Sequence, residues 1–380
     1  MPSTSPRQRI LLSPPHMTGR ERVYLDELFE SNFIAPAGPM LGRFEEMFCE
    51  ATGFPHAVAV SSGTAAIHLA LRCLGVGAGD RVWAPTFTFI ASIAPIIYQQ
   101  AIPVLFDSNP ETWNIDLDLV AEELTQAEKR GQLPKAIIAV DIYGQPCDVE
   151  RLRALADPYG VAVVSDSAEA IGSTIRGKHA GTGARCTAFS FNGNKLLTTG
   201  GGGLLASDHP SLVDHARYLS QQAREPVSHY EHKEVGYNYR MSALNAAVGC
   251  AQLEALEERV AKRRDIFDLY RQALKNIPGV EFLQEPLGAR SNRWLTVLTM
   301  SPNRGTPEEV VAALDIGGIE ARRLWKPMHL QKALSGVSVV KGNVAENLYD
   351  KGICLPSGSA MIEDDVYFIV SSLRSAWNLL

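Results

Sequence analysis

The residues able to do chemistry gather in three short stretches, and the richest runs from Ala188 to Leu205: Ala-Phe-Ser-Phe-Asn-Gly-Asn-Lys-Leu-Leu-Thr-Thr-Gly-Gly-Gly-Gly-Leu-Leu. Two apolar runs bracket a polar loop holding one lysine, Lys195, with four consecutive glycines behind it. The pattern reads as strand, loop, strand, with backbone pressed close to something bulky. A lysine amine held away from bulk water is shifted toward its neutral form and can attack a carbonyl carbon, which is Schiff-base chemistry. On residue type alone, a surface lysine in a glycine-rich hairpin is the commoner reading.

The second stretch is Ser61-Ser62-Gly63-Thr64, where an apolar strand turns into a helix through a glycine and hydroxyl residues. Free N–H groups and the helix dipole there suit a phosphate, although the tetrapeptide alone also reads as an ordinary capped helix. The third is Val163-Val164-Ser165-Asp166-Ser167-Ala168-Glu169-Ala170. Asp166 ends an apolar strand, so its carboxylate is at least partly buried and needs a cationic partner, unless it merely caps the next helix. One group answers all three features. Pyridoxal 5'-phosphate would place its phosphate at the helix N-terminus, its protonated ring nitrogen on Asp166 and its aldehyde on Lys195. There is no G-x-x-x-x-G-K-[ST], and no G-x-G-x-x-G with a following acidic residue, so nucleotide hydrolysis and dinucleotide binding lack their signatures.

The elements that must position these residues alternate. Strands are predicted at Ala57–Val60, Arg81–Ala84, Pro103–Phe106, Ala136–Val140 and Val161–Ser165, and helices at 65–74, 90–99, 117–130 and 149–159. Helices at 19–31 and 41–52 precede them. Nearly unbroken, β-branched strands between helices imply a mostly parallel sheet covered on both faces. Ligands of such sheets bind beyond the carboxyl ends of the strands, where Gly63, Asp107, Asp141 and Asp166 fall. Further on, 209–221 and 241–276 read as helical. After Gly279 a strand at 294–300 and helices at 306–316 and 364–377 suggest a smaller α+β domain.

At 380 residues, with 46% apolar and 21% charged residues, the chain has the composition of a globular protein of one large and one smaller domain. No apolar run is long enough to cross a bilayer, and Ile10-Leu11-Leu12 behind the basic lead-in is too short for a signal peptide, so the expected location is cytoplasmic. A net charge of −6 with mixed signs argues against nucleic acid as a partner. Six scattered cysteines without a C-x-x-C pair suggest neither a metal site nor a disulfide framework.

The ordered set Ser62-Gly63-Thr64, Asp166-Ser-Ala-Glu-Ala, Phe189-Ser-Phe-Asn-Gly-Asn-Lys195, Gly236-Tyr-Asn-Tyr-Arg-Met241 and Trp325-Lys-Pro-Met-His329 resembles the nucleotide-sugar aminotransferases of the DegT/DnrJ/EryC1/StrS family, from about Ile10 to the last helix. The resemblance implies an α/β, aspartate-aminotransferase-like fold type I. Residues 1–250 would form a large cofactor domain with a mostly parallel seven-stranded sheet and an N-terminal substrate loop, and residues 251–380 a small α+β domain. It implies that Lys195 bonds to the cofactor aldehyde and shuttles protons, and that Asp166 pairs with the ring nitrogen. Gly63, Thr64 and Ser190 would hold the phosphate, with Asn238 reaching in from the other subunit of a homodimer. Glu169 would lie by the ring hydroxyl, and Phe89 would stack on the ring, although two phenylalanines in Pro85-Thr-Phe-Thr-Phe89 also read as core. Asn32 and Ile34 match the substrate loop, and Arg240 and His329 match positions near the nucleotide-sugar.

A branch of the family with histidine in place of the lysine performs deoxygenation, so Lys195 implies transamination. The Asn-Gly-Asn-Lys and Trp-Lys-Pro-Met-His segments are most similar to enzymes that aminate C4 of UDP-2-acetamido-2,6-dideoxy-4-keto-hexoses with glutamate as donor, for surface glycans. The alternatives are an aminotransferase for a dTDP-linked 3- or 4-keto sugar and a non-catalytic sugar-nucleotide-binding regulator.

Overall fold

The computed structural model describes residues 8–340 and 342–378; most of the basic lead-in lies outside them. Its principal sheet has eight strands in the order His56–Val60, Gly203–Ser207, Cys186–Ser190, Ala162–Asp166, Ala136–Val140, Arg81–Pro85, Ile102–Phe106 and Ser338–Val340. Seven come from the first 250 residues, and an eighth, beyond the seven expected, is a short edge strand supplied from the C-terminal part. Only Gly203–Ser207 runs against the others, pairing antiparallel with both of its neighbours. A second sheet of four short antiparallel strands draws on Val280–Phe282, Thr296–Met300, Gly352–Leu355 and Arg322–Arg323.

Burial explains the strand composition. Val58, Val82, Ile138 and Val164 on one side of the large sheet, and Ile137, Ala139 and Val163 on the other, lie in two separate apolar clusters. The helices covering the sheet start where side-chain oxygens can accept their free N–H groups: Ser62 from Ala65, Asp116 from Asp118 and Leu119, and Asp148 from Arg151.

Three predicted elements differ in instructive ways. The helix expected at 90–99 is a 3₁₀ turn at Ile90–Ser92 followed by Ala94–Tyr98, where Pro95 takes a first-turn position. The stretch 241–276 is two helices, Ala243–Glu254 and Leu256–Leu274, and no proline or glycine marks the break at Ala255. Leu256 and Val260 pack with Phe189 and Phe191 under the large sheet, whereas Ile266, Phe267 and Tyr270 pack against the small one. The strand expected from Trp294 begins at Thr296, because Trp294 is drawn into the site described next.

Candidate active site

The strand Ala162–Asp166 ends on Asp166, and the neighbouring Cys186–Ser190 strand runs into the loop carrying Lys195. The Lys195 side chain is 13% exposed, and its Nζ lies 3.5 Å from Glu169 Oε1 and 4.1 Å from the ring centroid of Trp294. Its backbone is fixed one residue earlier. The Asn194 carbonyl accepts from Trp294 Nε1 at 2.8 Å and from Ser13 Oγ at 2.7 Å. Arg263, fully buried, in turn donates to the Trp294 carbonyl and to Ser13 Oγ.

Asp166 is also buried. Its Oδ2 accepts from Ser92 Oγ at 2.6 Å and its Oδ1 from the Ala168 N–H at 3.1 Å. Burial raises its proton affinity, while these hydrogen bonds and the Lys195 charge oppose the rise. Glu169 is raised by burial as well, against the Lys195 charge and the Tyr143 N–H, which reaches its Oε2 at 2.7 Å. Tyr143, at φ 53°, also accepts from the Trp325 N–H through its hydroxyl, and its ring runs nearly parallel to those of Trp294 and Trp325.

The helix Gly63–Cys73 starts against Ser190, the last residue of the strand that leads into the lysine loop. Ser62 caps the Ala65 N–H, which leaves the N–H groups of Gly63 and Thr64 at the open end. A Cβ on Gly63 would come within 3.0 Å of Ser190 Cβ, so Ser190 and the helix start are in close apposition. A Cβ on Gly203 would fall 2.3 Å from the Ser62 carbonyl carbon, which accounts for the last glycine of the Gly200–Gly203 run. Gly200 adopts φ +79°, Gly202 leaves no room beside Thr199 and Met241, and Gly201 faces open space. An anion cradle, a buried carboxylate with no arginine on it among the described residues and a sheltered amine together fit a phosphate, a protonated ring nitrogen and an aldehyde.

The remaining predicted residues lie on other elements. Phe89 is half exposed, with its ring 5.1 Å from that of Trp325. His329 places Nδ1 2.7 Å from Thr86 Oγ1 and Nε2 3.0 Å from Glu346 Oε1. Arg240 commits its guanidinium to Glu45 Oε1 and the Ala59 carbonyl, both at 2.6 Å. Asn238 is exposed, bridged through its backbone to Gln221, and Asn32 and Ile34 are exposed on the N-terminal loop. Sequence reasoning missed Ser92, Tyr143, Trp294 and Arg263. Tyr143 stands just past a strand end, which is a usable signal; the others are placed by tertiary packing alone. A cleft of about 240 Å³ adjoins the lysine loop, walled by Asn194, Trp294, Tyr143, Trp325 and the segment 11–14.

The fold and this constellation are those of a pyridoxal-phosphate-dependent aminotransferase, and the family places it among those acting on sugars. The chain belongs to the DegT/DnrJ/EryC1/StrS aminotransferase family, whose model matches residues 15–374. It is 50% identical over 362 residues to the aminotransferase EpsN of Bacillus subtilis (strain 168), covering 94% of this chain and 93% of that one. A GDP-perosamine synthase of Caulobacter vibrioides is 34% identical, covering 96% and 97%. Among solved structures, the sugar aminotransferase Spr1654 of Streptococcus pneumoniae in its PLP-form superimposes with a TM-score of 0.89 at 27% identity, covering 98% of this chain and 100% of that one.

Proposed function

We propose that this enzyme moves the amino group of glutamate onto C4 of a UDP-2-acetamido-2,6-dideoxy-4-keto-hexose. What carries the reading is that the two segments most similar to that branch share one cleft: Asn194 of the Asn-Gly-Asn-Lys loop and Trp325 of the Trp-Lys-Pro-Met-His segment both line it. The bound cofactor supplies an electron sink. Lys195 anchors its aldehyde and carries the proton at the reacting carbon. Asp166 holds the ring nitrogen protonated, and Glu169 borders the ring hydroxyl. Gly63, Thr64 and Ser190 take the phosphate, completed by Asn238 of a second copy in a homodimer. Phe89 covers the ring face, while Asn32, Ile34 and His329 border the nucleotide-sugar. Arg240 serves the site by holding its own segment. Residues 1–250 bind the cofactor and 251–380 close the cleft. Among the described residues no helix is long and apolar enough to cross a membrane, and we place the reaction in the cytoplasm.

A GDP-linked substrate is the second reading, favoured by the 34% identity to the GDP-perosamine synthase. Labelled glutamate assayed with UDP-, dTDP- and GDP-linked 4-keto sugars separates the two. The expected outcome is a kcat/KM at least tenfold higher for the UDP-linked sugar; a preference for GDP or dTDP overturns the nucleotide assignment, and no aminated product with any sugar would favour a binding protein.

A further inference from the structure

The Asp166 carboxylate has a partner that neither the sequence motifs nor the family assignment names. Ser92 and Thr88 are each 1% exposed and Asp166 is 5% exposed. Ser92 Oγ lies 2.6 Å from Asp166 Oδ2, and Thr88 Oγ1 lies 2.7 Å from Ser92 Oγ. An ionised carboxylate can only accept, so the Ser92 proton points at Oδ2. The Ser92 oxygen is then the acceptor for the Thr88 proton, and the direction of the whole chain follows: Thr88 to Ser92 to Asp166. The Ala168 N–H occupies Oδ1 at 3.1 Å, so both carboxylate oxygens are held from fixed positions.

We propose that Ser92, backed by Thr88, is a positioning residue that keeps the Asp166 carboxylate ionised and oriented toward the pyridine nitrogen of the cofactor. The inference rests on the site reading given above. Hydrogen bonds to a buried anion lower the cost of its charge, and a short hydroxyl bond is among the stronger of them. Ser92 sits in the 3₁₀ turn Ile90–Ser92, whose rigidity follows from the hydrogen bonds of the Ser92 and Ile93 N–H groups to Phe89 and Ile90. The charged groups that bear on the same carboxylate are Lys195 on the loop, Glu169 on the turn after the strand and Asp141 at the end of the adjacent strand. None of them reaches Oδ2 through a hydrogen bond, so the hydroxyl chain is the protein's own contact with that oxygen.

The test uses the full-length holoenzyme. Ser92→Ala, Thr88→Val, Ser92→Thr and Asp166→Asn are compared by pyridoxal phosphate affinity and by the pH midpoint of the cofactor's visible absorption. Ser92→Ala is expected to weaken cofactor binding about tenfold or more and to move the midpoint in the same direction as Asp166→Asn. Thr88→Val, which keeps the shape and deletes only the outer hydroxyl, is expected to give a smaller shift of the same sign, and Ser92→Thr to restore the midpoint. A wild-type midpoint and affinity in Ser92→Ala or in both hydroxyl deletions, alongside a disturbed Asp166→Asn, overturns the chain and leaves the site reading standing. An undisturbed Asp166→Asn overturns both. Should Ser92→Ala fail to fold, Thr88→Val decides: an unchanged midpoint there overturns the inference.

Discussion

Lys195 Nζ stands 3.5 Å from Glu169 Oε1, while the other carboxylate oxygen of Glu169 is held by the Tyr143 N–H at 2.7 Å. The first distance is at the long limit of a hydrogen bond and the second is ordinary, so the carboxylate is fixed by backbone and the lysine is only loosely tied to it. That asymmetry suits the role proposed for Lys195, in which the amine leaves its neighbour to reach an aldehyde. Trp294 beneath the amine and the doubly bonded Asn194 carbonyl behind it restrict where the lysine can travel.

In the role proposed for Lys195, removing the amine removes the nucleophile and little else. Lys195→Ala is expected to lose turnover by on the order of 10³-fold or more and to lose the visible absorption of the lysine-bound cofactor, with an unchanged far-ultraviolet circular dichroism spectrum. Transamination of a 4-keto sugar by the purified variant at near the wild-type rate would sink the assignment of Lys195.

Glu169 separates charge from hydrogen bonding. Glu169→Gln keeps an oxygen for the Tyr143 N–H, whereas Glu169→Ala leaves that buried donor without an acceptor at a cost of about 1–3 kcal/mol. Thermal or urea unfolding should therefore rank the glutamine variant close to wild type and the alanine variant below both. Equal stability of the two variants would show that the Tyr143 bond contributes nothing measurable.

Much of this was legible in the chain because the signals are local. Alternating β-branched strands and capped helices announced the large sheet; Asp166 stood out by ending an apolar run and Lys195 by sitting in a polar loop between two of them. What was not legible is long-range. The edge strand Ser338–Val340 joins the sheet from more than 200 residues away, where it pairs with Ile102–Phe106. Ser92 meets Asp166 across 74 residues and Ser13 meets Asn194 across 181, and no periodicity encodes either contact. Arg240 sits in a motif that suggests a ligand, yet its guanidinium is bound to Glu45, a pairing that depends on how the second helix lies against the sheet.

That pairing yields a prediction about stability. Arg240 and Glu45 side chains are 8% and 10% exposed, and Glu45 also receives Arg217 and the Ala59 N–H. Arg240→Ala strands part of a buried anion's pairing, but Arg217 remains, so the expected loss is roughly 3 kcal/mol, the lower end for a broken buried pair. The midpoint of chemical unfolding should fall accordingly, with the KM for the nucleotide-sugar changed less than threefold in the folded fraction. A large rise in KM at unchanged stability would return Arg240 to direct substrate contact.

Asp141 carries the pH prediction. It is fully buried at the end of its strand, accepts from the Cys147 N–H at 2.7 Å and from Ser167 Oγ at 2.5 Å, and is pushed by burial, despite both bonds, up to about 7 from an ordinary value of 3.8. Asp166 and Glu169 push in the same direction. A carboxyl raised in the folded state binds its proton more tightly there than in the unfolded chain. Its contribution to stability is thus whole below the ordinary carboxyl range and is lost as pH rises through about 7, each unit of displacement carrying about 1.4 kcal/mol. Asp141→Asn cannot ionise, still offers an oxygen to Cys147, and can donate to Ser167, which turns its own proton to Ser165 at 3.1 Å. Unfolding free energies measured in steps between pH 4 and 8 should therefore fall more steeply for wild type than for the variant. Parallel curves for the two proteins would show that Asp141 is ionised at no cost in the fold.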